Sequence, residues 1–205
     1  LHHSGRPRPG EAGVVLLIVD EREGGGASHH LKSLCDALGR EGARYETRVL
    51  RTGLGDYQLV CADGPPAARE RVLPRLIERK SAVDVAASLK DGRWGRQKRA
   101  MQATNAAHFD GRARLEYILE GEIGDEIHSC PRCQATAAAD PSGRGVGGCT
   151  LSGWPSLGEV EEALGGLAAD GFVVTRTSSR AGTARYLAAE QRKAQQAHPV
   201  AMAAA

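Results

Sequence analysis

Aromatic residues are scarce. Two Trp, four Tyr and two Phe amount to 4% of 205 residues, so a core has to be built from Leu, Val, Ile and Ala. No run of about 18 apolar residues occurs, and with it goes any candidate for a membrane-spanning helix. The first apolar run, Val14 to Val19, is too short for the core of a signal peptide. Cysteine is sparse and odd in number: Cys35, Cys61, Cys130, Cys133 and Cys149. That count argues against a disulfide-stapled secreted domain and for a reducing compartment. Net charge is only +2, so total charge gives no argument for a nucleic-acid partner. No internal repeat is visible. The chain opens on Leu1 rather than Met, which reads as a fragment of a longer protein.

What is present is an ordinary globular mixture, 41% apolar and 25% charged, of a length for one sizeable domain. Residues 1–12 read as a disordered lead-in. "VVLLIV" (14–19) is a continuous, mostly β-branched run, the mark of a strand covered on both faces. Leu31, Leu34, Cys35 and Leu38 follow at helical spacing, with Gly42 as a stop. Further strands are predicted at 45–51, 57–62, 72–80, 114–121 and 171–177. Helices are predicted after Ser81, over 94–108, after Ser156 (in capping-box spacing with Glu159), and over 179–196. Beyond them a frayed tail is expected over 197–205. Strands alternating with helices predict an α/β protein with a mixed or mostly parallel sheet.

Charge is unevenly spread. From Arg69 to Arg99 ten Arg and Lys stand against four Asp and Glu. A basic stretch beside a site suits a phosphate-rich partner, and equally a solvated helix face. Within it lies "LIERK" (76–80), an apolar pair running straight into charge. Strand side chains alternate, so Glu78 and Lys80 project to one face and Arg79 to the other. Further acids stand where strands end or begin: Asp20 and Glu23 in "VDERE", Asp56 in "GD". Sites in open α/β sheets form where strand ends converge. Several carboxylates in one place repel each other unless they hold a divalent cation, and hard oxygen ligands suit Mg²⁺ or Mn²⁺. A lysine beside such a cation could orient water or stabilise charge on a phosphate, chemistry that fits metal-dependent phosphodiester hydrolysis.

"VDERE", "GDY", "ERKSAVD" and "SLKDGRWGRQK" together resemble the nuclease domain of the XPF family of structure-specific endonucleases. Gly55-Asp56, Glu78-Arg79-Lys80 and Asp84 match the family signature, and Asp20, Arg22 and Glu23 its upstream element. The likeness covers about residues 14–120 and resumes near 153. It implies a restriction-endonuclease-like fold of the PD-(D/E)xK type, with a mixed central sheet flanked by helices. It implies catalysis by Asp20, Glu23, Asp56, Glu78 and Lys80, with Mg²⁺ or Mn²⁺ on Asp56, Glu78 and Glu23. Arg22, Arg79 and Asp84 would support the site, and Arg93, Gln97 and Lys98 would face DNA. The stretch "LAADGFVVTRTSSRAGTARYLAAEQRK" (167–193) is similar to the MUS-type crossover-junction branch, although "VDERE" and "GDYQLV" are nearer the excision-repair branch.

The MUS-type resemblance implies a nuclear catalytic subunit of a heterodimer, paired with a non-catalytic XPF-family subunit, with branched DNA as substrate and no membrane partner. Arg96 stands where the family often has an acid. The helix-hairpin-helix domain that usually follows is absent from this sequence. A non-cutting scaffold that recognises branched DNA, and a restriction-like nuclease of different biology, are the competing readings.

Residues 121–153, rich in Gly, Ala, Ser, Pro and Cys, read as a loop insertion. His128, Cys130, Cys133 and Cys149 there offer four ligands for Zn²⁺, but one Cys-x-x-Cys supplies only half of a tetrahedral site. A loop with reduced thiols is the simpler expectation.

Overall fold

The computed structural model describes residues 12–23, 28–51, 53–63, 70–122 and 154–198. All of the lead-in expected over 1–12 except Ala12, the zinc candidates His128, Cys130, Cys133 and Cys149, and most of the expected insertion and tail lie outside them.

A continuous apolar run is stable as a strand only when both faces are covered. β1 (Ala12–Asp20) is such a strand. Leu17 and Val19 enter one hydrophobic cluster, and Leu16 and Ile18 another. β2 (Tyr45–Arg48) runs parallel to β1, and β3 (Tyr57–Asp63) antiparallel on its other side. The far edge of β3 is shared. β4 (Glu70–Val72) pairs with residues 60–62, and β5 (Arg75–Ser81) meets it at Tyr57–Ile77. Next come β6 (Arg114–Glu120) and β7 (Phe172–Thr177), both parallel to β5. The spatial order is β2-β1-β3-β5-β6-β7, with β4 beside β3. The mixed sheet and flanking helices are those expected.

Two strand boundaries differ from the pattern reading. The stretch expected as one strand over 72–80 is two, β4 and β5. Pro74 lies between them, without an amide to donate and restricting Leu73 before it; the Arg75 amide donates to Leu73 O at 2.7 Å, closing a tight corner. The strand expected over 45–51 stops at Arg48. β1 turns away after Asp20, with the Glu21 amide bonded to Arg48 O, so, among the described residues, 49–51 have no strand to pair with.

Among the described residues five helices flank the sheet. α1 (Ser28–Arg40) and α5 (Arg180–Ala197) cover one face, over Leu17, Tyr57, Ile77 and Ile118. α2 (Ala82–Lys90), α3 (Arg93–Phe109) and α4 (Leu157–Ala169) cover the other, over Leu76, Leu115, Tyr117 and Leu119. Ser81 and Asp84 cap α2 reciprocally, and Ser156 and Glu159 cap α4 in the same way. Asn105 of α3 bonds both the amide and the carbonyl of Ala113, fixing the entry to β6.

α5 is tied to the sheet by polar contacts. Near its start β1 has no β2 neighbour, and two glutamines one helical turn apart take that place. Gln195 accepts from the Val15 amide at 2.8 Å and donates to Gly13 O at 2.9 Å. Gln191 donates to Val15 O and Arg44 O and accepts from the Arg44 amide. Deeper in, Glu116 is fully buried. It accepts from Arg75 Nε at 3.0 Å and Nη2 at 2.5 Å, from Thr175 Oγ1 at 2.7 Å, and from the Tyr186 hydroxyl. Arg75 also pairs with Glu190 of α5.

Candidate active site

The turn before β3 passes directly over β5. Gly55 forms a bridge with Ile77 at φ +77°. A Cβ on Gly55 would stand 2.7 Å from Ile77 C and closer still to Ile77 O. Only glycine lets the two backbones meet there. The approach delivers the next residue: the Asp56 amide donates to Ile77 O at 2.8 Å, and the Arg79 amide donates to the Asp56 carboxylate at 2.8 Å. The Gly-Asp pair is thus a device for placing one carboxylate against β5.

β5 alternates as its sequence predicts. Leu76 joins the cluster on the α2–α3 face and Ile77 the cluster on the α1–α5 face. Glu78 and Lys80 lie on the first face, with Lys80 Nζ 3.4 Å from Glu78 Oε1, both side chains buried. Gln97 of α3 donates to the same Glu78 oxygen at 2.9 Å. Arg79 turns to the other face, where its guanidinium is held between Glu23 and Glu120. Glu23 also accepts from the Tyr57 hydroxyl at 3.0 Å. Burial opposes the Arg79 charge, but the two carboxylates overcome it and raise its proton affinity further.

Asp20 joins through the backbone, its amide donating to Asp56 O at 2.8 Å. Its carboxylate accepts from Arg22 Nη2 at 2.7 Å and from the Arg22 amide at 3.0 Å. Burial works against the Asp20 charge, and the Arg22 contacts outweigh it, holding the carboxyl below its ordinary range.

Asp56 and Glu78 are the strained pair. Burial first, then the charges of Glu78 and Glu23, push the Asp56 carboxyl well above the usual carboxylate range; the Arg79 amide and Lys80 oppose this only in part. Burial likewise raises Glu78, with Lys80 opposing. Two such carboxylates take up protons or a cation. Among the described residues no three His, Cys, Asp or Glu side chains form a ready-made metal cage. The donor set fits a cation that is held by one or two carboxylates and keeps its own water, as Mg²⁺ does. Asp56 and Glu78 are the residues that would hold it; Glu23, expected as a third ligand, is engaged by Arg79 and the Tyr57 hydroxyl.

The site opens into a cleft of about 600 Å³ whose wall includes Asp56, Glu78, Gln97, Arg51, Arg93 and Arg96. A hollow of about 550 Å³ that shares Asp56 and Glu78 adds Lys80, Asp84, His30 and Arg180. Arg93 is steered by Asp91, 2.5 Å from its Nε. Lys98 is not brought to the cleft: it pairs with Asp170 and lies over the Trp94 ring. The Asp84 carboxylate is engaged in the α2 cap at the rim. Arg51, His30, Glu120 and Arg180 carry no local signal. Glu120 reaches the site by pairing with Arg79, Arg180 by pairing with Glu120, and His30 through its carbonyl, which accepts from Arg180, while Arg51 is part of the cleft wall.

The sequence matches the family described as the ERCC4 domain over residues 19–189. Two solved structures share the fold. XPF from Aeropyrum pernix has a TM-score of 0.50 and 20% identity, with 89% of this chain and 64% of that chain covered. XPF from Aeropyrum pernix in complex with DNA has a TM-score of 0.51 and 19% identity, with 93% and 66% covered. This chain therefore spans somewhat less than two-thirds of the first of them. No curated protein matches. The fold and the matched span establish the class, a restriction-endonuclease-like nuclease fold, and the chain belongs to the ERCC4 domain family, the XPF nuclease family.

Proposed function

We propose that this chain is the catalytic part of a divalent-metal-dependent, structure-specific DNA endonuclease. One observation carries the reading: the half-buried Asp56 carboxylate, the buried Glu78 carboxylate and the Lys80 ammonium meet at the floor of a cleft rimmed by arginines. A divalent cation bound there would lower the pKa of water and neutralise charge on a phosphoryl group. The protein's own part is positional. Lys80, held at 3.4 Å from Glu78, presents a cation beside the reacting phosphate. Arg79 pins Glu23 and lends its amide to Asp56. Arg51, Arg93 and Arg96 supply phosphate contacts that set register without reading bases.

Within the family the reading is the MUS-type catalytic subunit. It rests on the resemblance of residues 167–193 and on the acids that non-catalytic members have lost. It brings a nuclear setting, a non-catalytic XPF-family partner subunit, and 3′-flap, fork and nicked Holliday-junction DNA as substrates.

The test is cleavage of a labelled 3′-flap duplex in Mg²⁺ by this chain, alone and with a partner subunit, beside Asp56→Asn and Lys80→Ala. Cutting that both substitutions reduce by about a thousandfold or more supports the reading. Binding of the flap without cutting in every assembly makes the chain a scaffold instead.

A further inference from the structure

Tyr117 is fully buried and stands in register with Glu78 across the parallel β5–β6 pair. Residues so paired project to the same face. The Tyr117 ring is wedged between Trp94 of α3, centroids 5.1 Å apart, and Phe172 of β7, 5.3 Å apart. It has no freedom to swing to solvent. Yet its hydroxyl has no hydrogen-bond partner. Buried polar groups almost always have one.

The second unpaired atom is close by in the fold. Gln97, one turn along α3 from Trp94, donates its amide to Glu78. That bond settles the amide's orientation, because the oxygen of Gln97 facing a carboxylate would be repelled. Its oxygen is left buried and unpaired. One donor and one acceptor thus lack partners on the same side of the sheet, both beside one carboxylate. Among the described residues the other buried unpaired donor is Gln58, which lies in register with Ile18 of β1 rather than with Glu78.

We infer that Tyr117 is a positioning residue for Glu78, its hydroxyl completing a chain from Tyr117 to the Gln97 oxygen and from the Gln97 amide to Glu78. The link closes directly or through one shared water. Without that link Glu78 is held by Lys80 and by a Gln97 amide whose other end nothing fixes, and a cation in the cleft would draw it off. The brace holds one carboxylate oxygen on the α3 side and leaves the other to face the cleft. A tyrosine hydroxyl keeps its proton at neutral pH, so it acts as a donor. Partners of this kind set the affinity of metal-binding carboxylates.

This rests on the reading of Glu78 as a cation ligand, so the test separates the two. Mn²⁺ affinity is measured by calorimetry on the full chain, with flap cleavage and urea unfolding alongside, for the parent, Tyr117→Phe, Gln97→Leu and the double variant. The brace predicts Mn²⁺ binding about tenfold weaker in Tyr117→Phe, an unfolding midpoint no lower than the parent's, and a double variant no weaker than Gln97→Leu. A parent that binds Mn²⁺ but never cuts, with Tyr117→Phe still weaker in binding, sinks the nuclease reading and keeps the brace. Unchanged affinity in Tyr117→Phe, an equal loss in the Gln97→Leu background, or a loss that tracks a lowered midpoint overturns the brace. A parent that neither binds Mn²⁺ nor cuts overturns both.

Discussion

The Arg79 amide donates to the Asp56 carboxylate at 2.8 Å, while the Arg79 side chain, on the far face of the strand, grips Glu23. One residue therefore serves acids on both sides of the sheet, and the strand's alternation is what permits it. The contact exists only because Gly55 lets the β3 turn lie on β5.

Gly55→Ala is expected to break that arrangement. The new methyl would collide with the Ile77 carbonyl group, which is backbone and cannot yield, at a φ that disfavours side chains. A loss of about 2–4 kcal/mol in urea unfolding is expected, together with a loss of Mn²⁺ affinity larger than the stability change alone explains. Gly53, also at positive φ, offers a control whose Cβ would meet the Thr104 side chain and the Ala100 backbone on α3 instead of β5.

With divalent cations chelated, stability should fall as pH rises. A carboxyl whose folded-state pKa is raised binds its proton more tightly folded than unfolded. Its contribution is complete below the ordinary aspartate value of about 3.9 and is lost as pH climbs through the raised value. Asp56 dominates this trend, with Glu78 in the same direction. Urea unfolding from about pH 5 to about pH 8 should show the decline, Asp56→Asn should flatten it, and added Mg²⁺ should offset it.

Glu116→Ala should cost about 3 kcal/mol or more of stability. It leaves Arg75 buried with Glu190 as its remaining carboxylate partner and strips the Tyr186 and Thr175 hydroxyls of their acceptor. The network lies away from the cleft, so cleavage per folded molecule should be unchanged. Chemical unfolding beside an active-site titration separates the two quantities.

Arg96→Ala and Arg51→Ala should each lower the salt dependence of duplex binding by about one unit of log–log slope, whatever the base sequence. Both line the cleft. Lys98→Ala should leave the slope unchanged, because that ammonium is spent on Asp170. Fluorescence anisotropy at several salt concentrations measures all three.

What could be read from the chain was whatever rests on neighbours in sequence. The run 14–19 announced a strand buried on both faces, Ser81 and Ser156 announced capped helices, and alternation alone put Glu78 with Lys80 and Arg79 apart from them. The break at Pro74 is masked in the pattern, because Val72 and Leu73 before it and Leu76 and Ile77 after it are all apolar. Lys98 looked like part of a basic face, and only the fold brings Asp170, far along the chain, to neutralise it. The same holds for Tyr117: as letters, "LEYIL" is core, and its tie to Glu78 appears only with the β5–β6 register.

The glutamine pair on α5 bears on how the molecule comes together. Gln195 and Val15 are 180 residues apart, so the open end of β1 finds its partners in the last described helix. Loop closure over such a span costs entropy before it gives any contact back, and chains dominated by distant pairings fold slowly. Until α5 docks, the strand that ends in Asp20 carries bare amides and carbonyls along one edge. In assembly, then, the strand that leads to the cleft is waiting on two side chains about 180 residues away.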